Sequence, residues 1–179
     1  MTPPASVVRV LHFYAEPWLP PIGHSRFCLR YPDDCKVLSV DFRRRNFALT
    51  RERRIELDAV NSEVNRRIIP KVSFANGATE EWLISPPVGD CKDYAITKRH
   101  ELLVRGLPSR ALLLSEVVIA SGEHHLVLVV RLKDEDLVLD NLKDEIRPVA
   151  ATYREYQWVR IETQQNPKFW ARVRLPGAI

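Results

Sequence analysis

Two apolar patterns of different period, one following the other, predict an α+β fold. Up to Pro108 the apolar residues recur at helical spacing, over about 50–68 and 90–105; beyond it they gather into short branched and aromatic runs. With 179 residues, 45% hydrophobic and 28% charged, the chain suffices for one well-packed core and has an ordinary globular composition. A single domain spanning 1–179 is the expectation, with no internal repeat and no low-complexity tract.

Residues 1–48, rich in Pro and aromatics (Pro3, Pro4, Pro17, Pro20, Pro21, Trp18, Phe27), predict an irregular arm packed on a body formed by 50–175. Thr50 is placed to cap a helix whose apolar positions Ile55, Val60, Val64 and Ile68 run until Pro70 stops it. Asn76-Gly77 marks a turn, and Pro86-Pro87 ahead of Gly89 ends a loop. A second helix is expected from about Asp90 to Arg105, with Ala95, Leu102 and Leu103 on one face and Gly106-Leu107-Pro108 as its stop. The runs Leu112–Ile119, His125–Leu132, Leu137–Asp140, Gln157–Ile161 and Trp170–Leu175 predict an antiparallel sheet. Thr163–Pro167 resembles a linker but is too short to part domains.

Charge narrows the function classes. The net charge is +4, and residues 1–70 carry 12 Lys or Arg against 8 Asp or Glu, leaving 15 against 15 in the remainder. Arg43-Arg44-Arg45, Arg51, Arg53, Arg54, Arg66 and Arg67 make a basic region, yet neither zinc-finger spacing nor a stacked-aromatic motif accompanies them. A solvated basic face is therefore expected rather than a nucleic-acid partner; an anionic protein or envelope surface is the other use such a face has. No apolar run reaches the length of a membrane span, and no secretory signal is visible.

Of three cysteines, Cys28 and Cys35 stand on either side of Pro32, where they either close a small disulfide loop or remain two thiols. No Cys or His pairs have zinc-ligand spacing, so no metal is expected from the residue pattern. Cys91 is the odd thiol. Gly89-Asp90-Cys91 puts it in the first turn of a helix, where unpaired N–H groups and the positive end of the dipole favour a thiolate. Gly89 lets the backbone approach a substrate carbonyl, and the Cys91 N–H is a candidate oxyanion donor.

A thiolate nucleophile needs a base and a group that orients the base, and His125 and Asp140 answer to hairpin arithmetic. If a two-residue turn at Lys133-Asp134 joins the strands, Leu132 faces Glu135 and His125 faces Leu142. Asp140 then becomes a diagonal neighbour of His125, roughly 7 to 8 Å away at the backbone and within side-chain reach. A four-residue loop would separate them. His124 points to the opposite side by alternation and is assigned a structural role.

Gly89-Asp90-Cys91 with Asp93-Tyr94-Ala95, then Glu123-His124-His125-Leu126-Val127-Leu128, then Leu137-Val138-Leu139-Asp140-Asn141-Leu142 resembles the bacterial transglutaminase-like cysteine proteinases. Val60-Asn61-Ser62-Glu63-Val64-Asn65 and Trp82 extend the resemblance over roughly 50–175. It implies a papain-like or transglutaminase-like core with Cys91 as nucleophile, His125 as general base and Asp140 as its orienting acid. It also implies a periplasmic location and a protein or peptide substrate, a cell-surface protein among the candidates. Calcium-binding members of the family use acidic residues around the cysteine, but here Lys92 follows Cys91 and stands between Asp90 and Asp93. An ammonium there disfavours a dication, so no cofactor is expected. The loop Ala75–Val88 is short for the family, which argues against the adhesin substrate of its best-known member.

Three functions use these residues differently. Hydrolysis of peptide bonds through an acyl-enzyme is the expectation. Transglutaminase or amidase-type acyl transfer employs the same triad with another acceptor, and a silent binding domain would keep the fold with Cys91 as a core thiol.

Overall fold

A computed structural model describes residues 11–36, 48–71 and 81–174. The turn expected at Asn76-Gly77, the run Arg43–Arg45 and the last strand residue Leu175 lie outside the described residues. Strand β1 (His12–Trp18), helix α1 (Ile22–Arg30) and a 3-10 turn (Pro32–Cys35) come first, followed by helix α2 (Arg51–Arg67). The short strands β2 (Ile69–Pro70) and β3 (Val88–Gly89) precede helix α3 (Cys91–Val104). Strands β4 (Leu112–Val118), β5 (His124–Arg131), β6 (Asp136–Leu139) and β7 (Arg147–Pro148) lead to a single helical turn, α4 (Val149–Thr152). Strands β8 (Gln157–Glu162) and β9 (Trp170–Arg174) complete the order.

Seven strands form one antiparallel sheet in the order β1-β9-β8-β4-β5-β6-β7, so the α+β expectation is met. The stretch read as an irregular arm departs from that reading. It supplies the sheet's edge strand, β1, and a helix, α1, whose Phe27 is buried in the core. Pro17 does not prevent the strand because an edge position leaves one side of the backbone unpaired.

Alternation along the strands makes two cores. Leu126, Leu128 and Val130 of β5 and Leu137 and Leu139 of β6 pack with Phe27, with Leu57, Val60 and Val64 of α2, and with Ala95 and Leu102 of α3. The intervening Val127, Val129 and Val138 join Leu113, Val149, Tyr156, Trp158 and Ile161 in a second cluster.

Both long helices start and stop where local chemistry dictates. Thr50 Oγ1 accepts the Arg53 N–H at 3.2 Å to cap α2. That helix buries Leu57, Val60, Asn61 and Val64, whereas Ile55, one of the apolar positions at helical spacing, is 60% exposed. Asp90 caps α3, and Gly106 (φ 87°) ends it with paired bonds, Leu107 N–H to Leu102 O at 3.0 Å and Gly106 N–H to Leu103 O at 2.9 Å.

Candidate active site

Cys91 occupies the first position of α3 because a reciprocal cap fixes where that helix begins. The Asp90 carboxylate accepts the Lys92 N–H at 3.1 Å, and Asp93 Oδ2 accepts the Asp90 N–H at 3.0 Å. Asp93 Oδ1 also accepts the Leu83 N–H at 2.7 Å, which ties the segment before the cysteine to the helix. Burial pushes the Asp93 carboxyl above its ordinary value, against the pull of those two N–H groups. Gly89 matters here for a reason the sequence did not suggest: a Cβ on it would lie 2.7 Å from Asp93 Oδ2 and 2.8 Å from Asp93 Cβ. Only glycine leaves room for the cap.

His125 is the second residue of β5, and Asp140 directly follows β6. The hairpin between them has the tight turn that the spacing requires. Leu132 N–H bonds Glu135 O at 3.0 Å around Lys133-Asp134, and Leu128 pairs with Leu139 and Arg131 with Asp136 in the register expected. The result is a hydrogen bond of 2.7 Å between His125 Nε2 and Asp140 Oδ1, with both side chains buried. Nδ1 is the ring nitrogen that this bond leaves over, and the half-buried Cys91 acts on the same ring. The structure thus brings together all three residues expected at the site. His124 lies apart, its side chain 66% exposed and paired with Glu116, which Arg160 also holds.

Burial pushes the His125 imidazole down, but hydrogen bonds to Asp140 and Cys91 and the charges of both outweigh it and raise its pKa to about 9. Burial pushes Asp140 up, yet the bond to His125, the Leu142 N–H at 3.0 Å and the Tyr156 hydroxyl hold it below its usual range. The imidazolium and the carboxylate stabilise each other.

Sequence reasoning missed three neighbours. The Tyr156 hydroxyl donates to Asp140 Oδ2, from the residue just before β8. Asn65 of α2 donates to the Asp140 carbonyl at 3.0 Å and to Asp144 Oδ1 at 2.9 Å. Lys98 lies two turns beyond Cys91 in α3, wholly buried, and burial lowers its ammonium to about 7 despite the attraction of Asp140 and Asp144. Asn65 had a signal, since it ends the helical segment that carries part of the resemblance; Tyr156 and Lys98 had none.

The carboxylates beside Cys91 are a poor fit to calcium. Both oxygens of Asp93 accept backbone N–H groups, Asp90 Oδ1 accepts the Lys92 N–H, and Asp90 Oδ2 faces Lys92 Nζ at 2.9 Å. A calcium ion takes six to eight oxygens, roughly, and the Lys92 ammonium already pairs with Asp90. Elsewhere, Cys28 and Cys35, left open by the sequence, are joined in a disulfide with Cα atoms 5.5 Å apart.

A cysteine at a helix start and a strand histidine bonded to a carboxylate, on a helix-covered antiparallel sheet, fit the class of transglutaminase-like folds. Within that class the chain belongs to the bacterial transglutaminase-like cysteine proteinase family, whose profile matches residues 15–177. Among solved structures it is similar to Legionella pneumophila LapG, with 28% identity and a TM-score of 0.52 over 60% of this chain and 62% of that one. An EGTA-treated form of LapG matches with the same values. The calcium-bound form matches with 25% identity and a TM-score of 0.57 over 70% of this chain and 74% of that one. The chain thus spans less than two thirds of the first of these LapG structures. No curated protein matches the chain.

Proposed function

We propose that the chain is a thiol peptidase acting on a protein substrate, with Cys91 as nucleophile, His125 as acid and base, and Asp140 as the orienting carboxylate. The observation that carries this reading is the buried 2.7 Å hydrogen bond between His125 and Asp140, with Cys91, at the start of α3, acting on the same imidazole. In it the thiolate attacks a peptide carbonyl while the Cys91 N–H, in the first turn of α3, donates to the developing oxyanion. The imidazolium then protonates the departing amine, and water, deprotonated by the same ring, releases the acyl group. Acyl transfer to an amine would use the same groups, and access of water or amine to the acyl-enzyme chooses between them. A periplasmic setting accords with the family and with the Cys28–Cys35 disulfide, which an oxidising compartment sustains. Among the described residues no helix is long and apolar enough to cross a membrane.

Calcium independence is part of this reading, because Lys92 supplies the positive charge between the two carboxylates. The experiment follows iodoacetamide labelling of Cys91 across pH, with and without EGTA. An activated thiolate labels as fast at pH 6 as at neutral pH; an inert one accelerates only through about pH 8.5. His125→Ala is expected to abolish the low-pH labelling and His124→Ala to leave it intact, and equal effects would show the wrong histidine to have been chosen. Labelling that EGTA slows would refute calcium independence. Incubation with candidate surface proteins, with and without a primary amine, separates hydrolysis, seen as fragments, from transfer, seen as amine incorporation.

A further inference from the structure

We infer that Tyr156 is a positioning residue of the reactive line: its phenol fixes the Asp140 carboxylate and, through it, which nitrogen of His125 exchanges a proton with Cys91. This rests on the triad reading above. Three hydrogen bonds converge on the Asp140 carboxylate, from the Leu142 N–H and His125 Nε2 on Oδ1 and from the Tyr156 hydroxyl on Oδ2. An ionised carboxylate only accepts, so each of the three partners must donate. His125 therefore carries its proton on Nε2, and Nδ1 is the atom left to take and return the proton of the Cys91 sulfur.

Tyr156 is itself built to serve as a constant donor. It is 7% exposed, its ring packs edge-on against Trp158 at 6.1 Å, and its oxygen accepts from Arg147 at 3.3 Å. The Arg147 guanidinium also stands 5.9 Å over the ring and is braced by both carboxylate oxygens of Glu155 at 2.9 and 3.0 Å. Burial and the Asp140 charge push the phenol above its ordinary pKa, so the hydroxyl keeps its proton throughout the working range. Among the described residues the charged groups around this centre are Asp140 after β6, His125 on β5, Arg147 on β7, Glu155 before β8 and, facing Asp140 from α3, Lys98, which Asp144 also attracts. Without the phenol, Asp140 would take up a proton at a higher pH. With Oδ2 unanchored the carboxylate turns, the bond that fixes the His125 ring through Nε2 loosens, and the imidazolium pairs less well with the sulfur.

Tyr156→Phe removes one oxygen and keeps the ring. Iodoacetamide labelling of the intact chain from pH 4 to 9 is the readout, with circular dichroism confirming that the variant folds. The parent is expected to label at pH 6 as at pH 8. In the variant the rising limb moves up by about one pH unit, so that at pH 4, on the limb, the rate falls about tenfold, the scale of a hydrogen bond to a charged group. A merely structural tyrosine would lower the melting temperature and leave the profile in place, so superimposed profiles would overturn the inference. Should Tyr156→Phe fail to fold, Arg147→Met, which releases the phenol from outside, decides instead: a smaller shift in the same direction supports the role and an unmoved curve overturns it. A parent that itself labels only through about pH 8.5 sinks the triad reading, and the role of Tyr156 falls with it.

Discussion

Lys98 illustrates how strongly single residues here depend on their surroundings. Its side chain is wholly buried in α3, and burial brings the ammonium down from 10.5 to about 7. A depressed folded-state pKa means that the unfolded chain binds the proton more tightly between about 7 and 10.5. The contribution of this lysine to stability is therefore complete above that window and is lost as pH falls through it. Lys98→Met removes the charge and keeps the length. Its stability relative to the parent, measured by urea denaturation, is expected to be most favourable at pH 7 and to decline towards pH 10; a difference that does not change with pH would refute this account. Nothing in the sequence marks Lys98, since a lysine in a helix is ordinarily a solvent-facing residue. Ile55 and Leu57 show the same limit, because the apolar spacing fitted either face until tertiary contacts buried Leu57 and left Ile55 in water.

At the scale of elements, the β5–β6 hairpin was legible because a two-residue turn leaves a single register. The turn at Lys133-Asp134 brings Leu128 opposite Leu139, and the same count carries His125 and Asp140 into reach. Strand side chains alternate with a period of two, so a one-residue slip turns a side chain to the other face. Inserting one glycine between Lys133 and Asp134 is thus expected to abolish labelling of Cys91 at pH 6 while far-UV circular dichroism retains the helical signal. Full labelling of the insertion variant would show that the hairpin register does not set the site. Helix α3 was legible to within a residue at either end, because the Asp90 cap and the Gly106 stop are local devices. Residues 11–36 were not. Prolines suggest irregular chain, but β1 is an edge strand defined by pairing with β9, which lies some 150 residues later in the sequence.

Across the whole molecule, distant parts of the chain converge on one carboxylate. Asn65 of α2 holds the Asp140 backbone, Tyr156 holds its side chain, and α3 carries Cys91 to the histidine that Asp140 bonds. On the helical side, Arg99 of α3 and the Cys28–Cys35 disulfide anchor the N-terminal elements: Arg99 donates to the Asp34 carbonyl at 2.5 Å, and Cys35 is fully buried in the first core. Replacing both cysteines with serine opens a short loop and is expected to cost about 2 to 3 kcal/mol in urea denaturation, with Cys91 labelling unchanged in the folded variant. Loss of labelling before unfolding would instead tie the disulfide to the site. What the sequence by itself determined is everything governed by near neighbours: the helix that presents Cys91, the hairpin that pairs His125 with Asp140, and the motifs of the family. Tertiary structure alone decided the strand at the N-terminus, the buried lysine and the tyrosine behind Asp140. Those depend on contacts between segments far apart in the chain, which neither periodicity nor capping chemistry records.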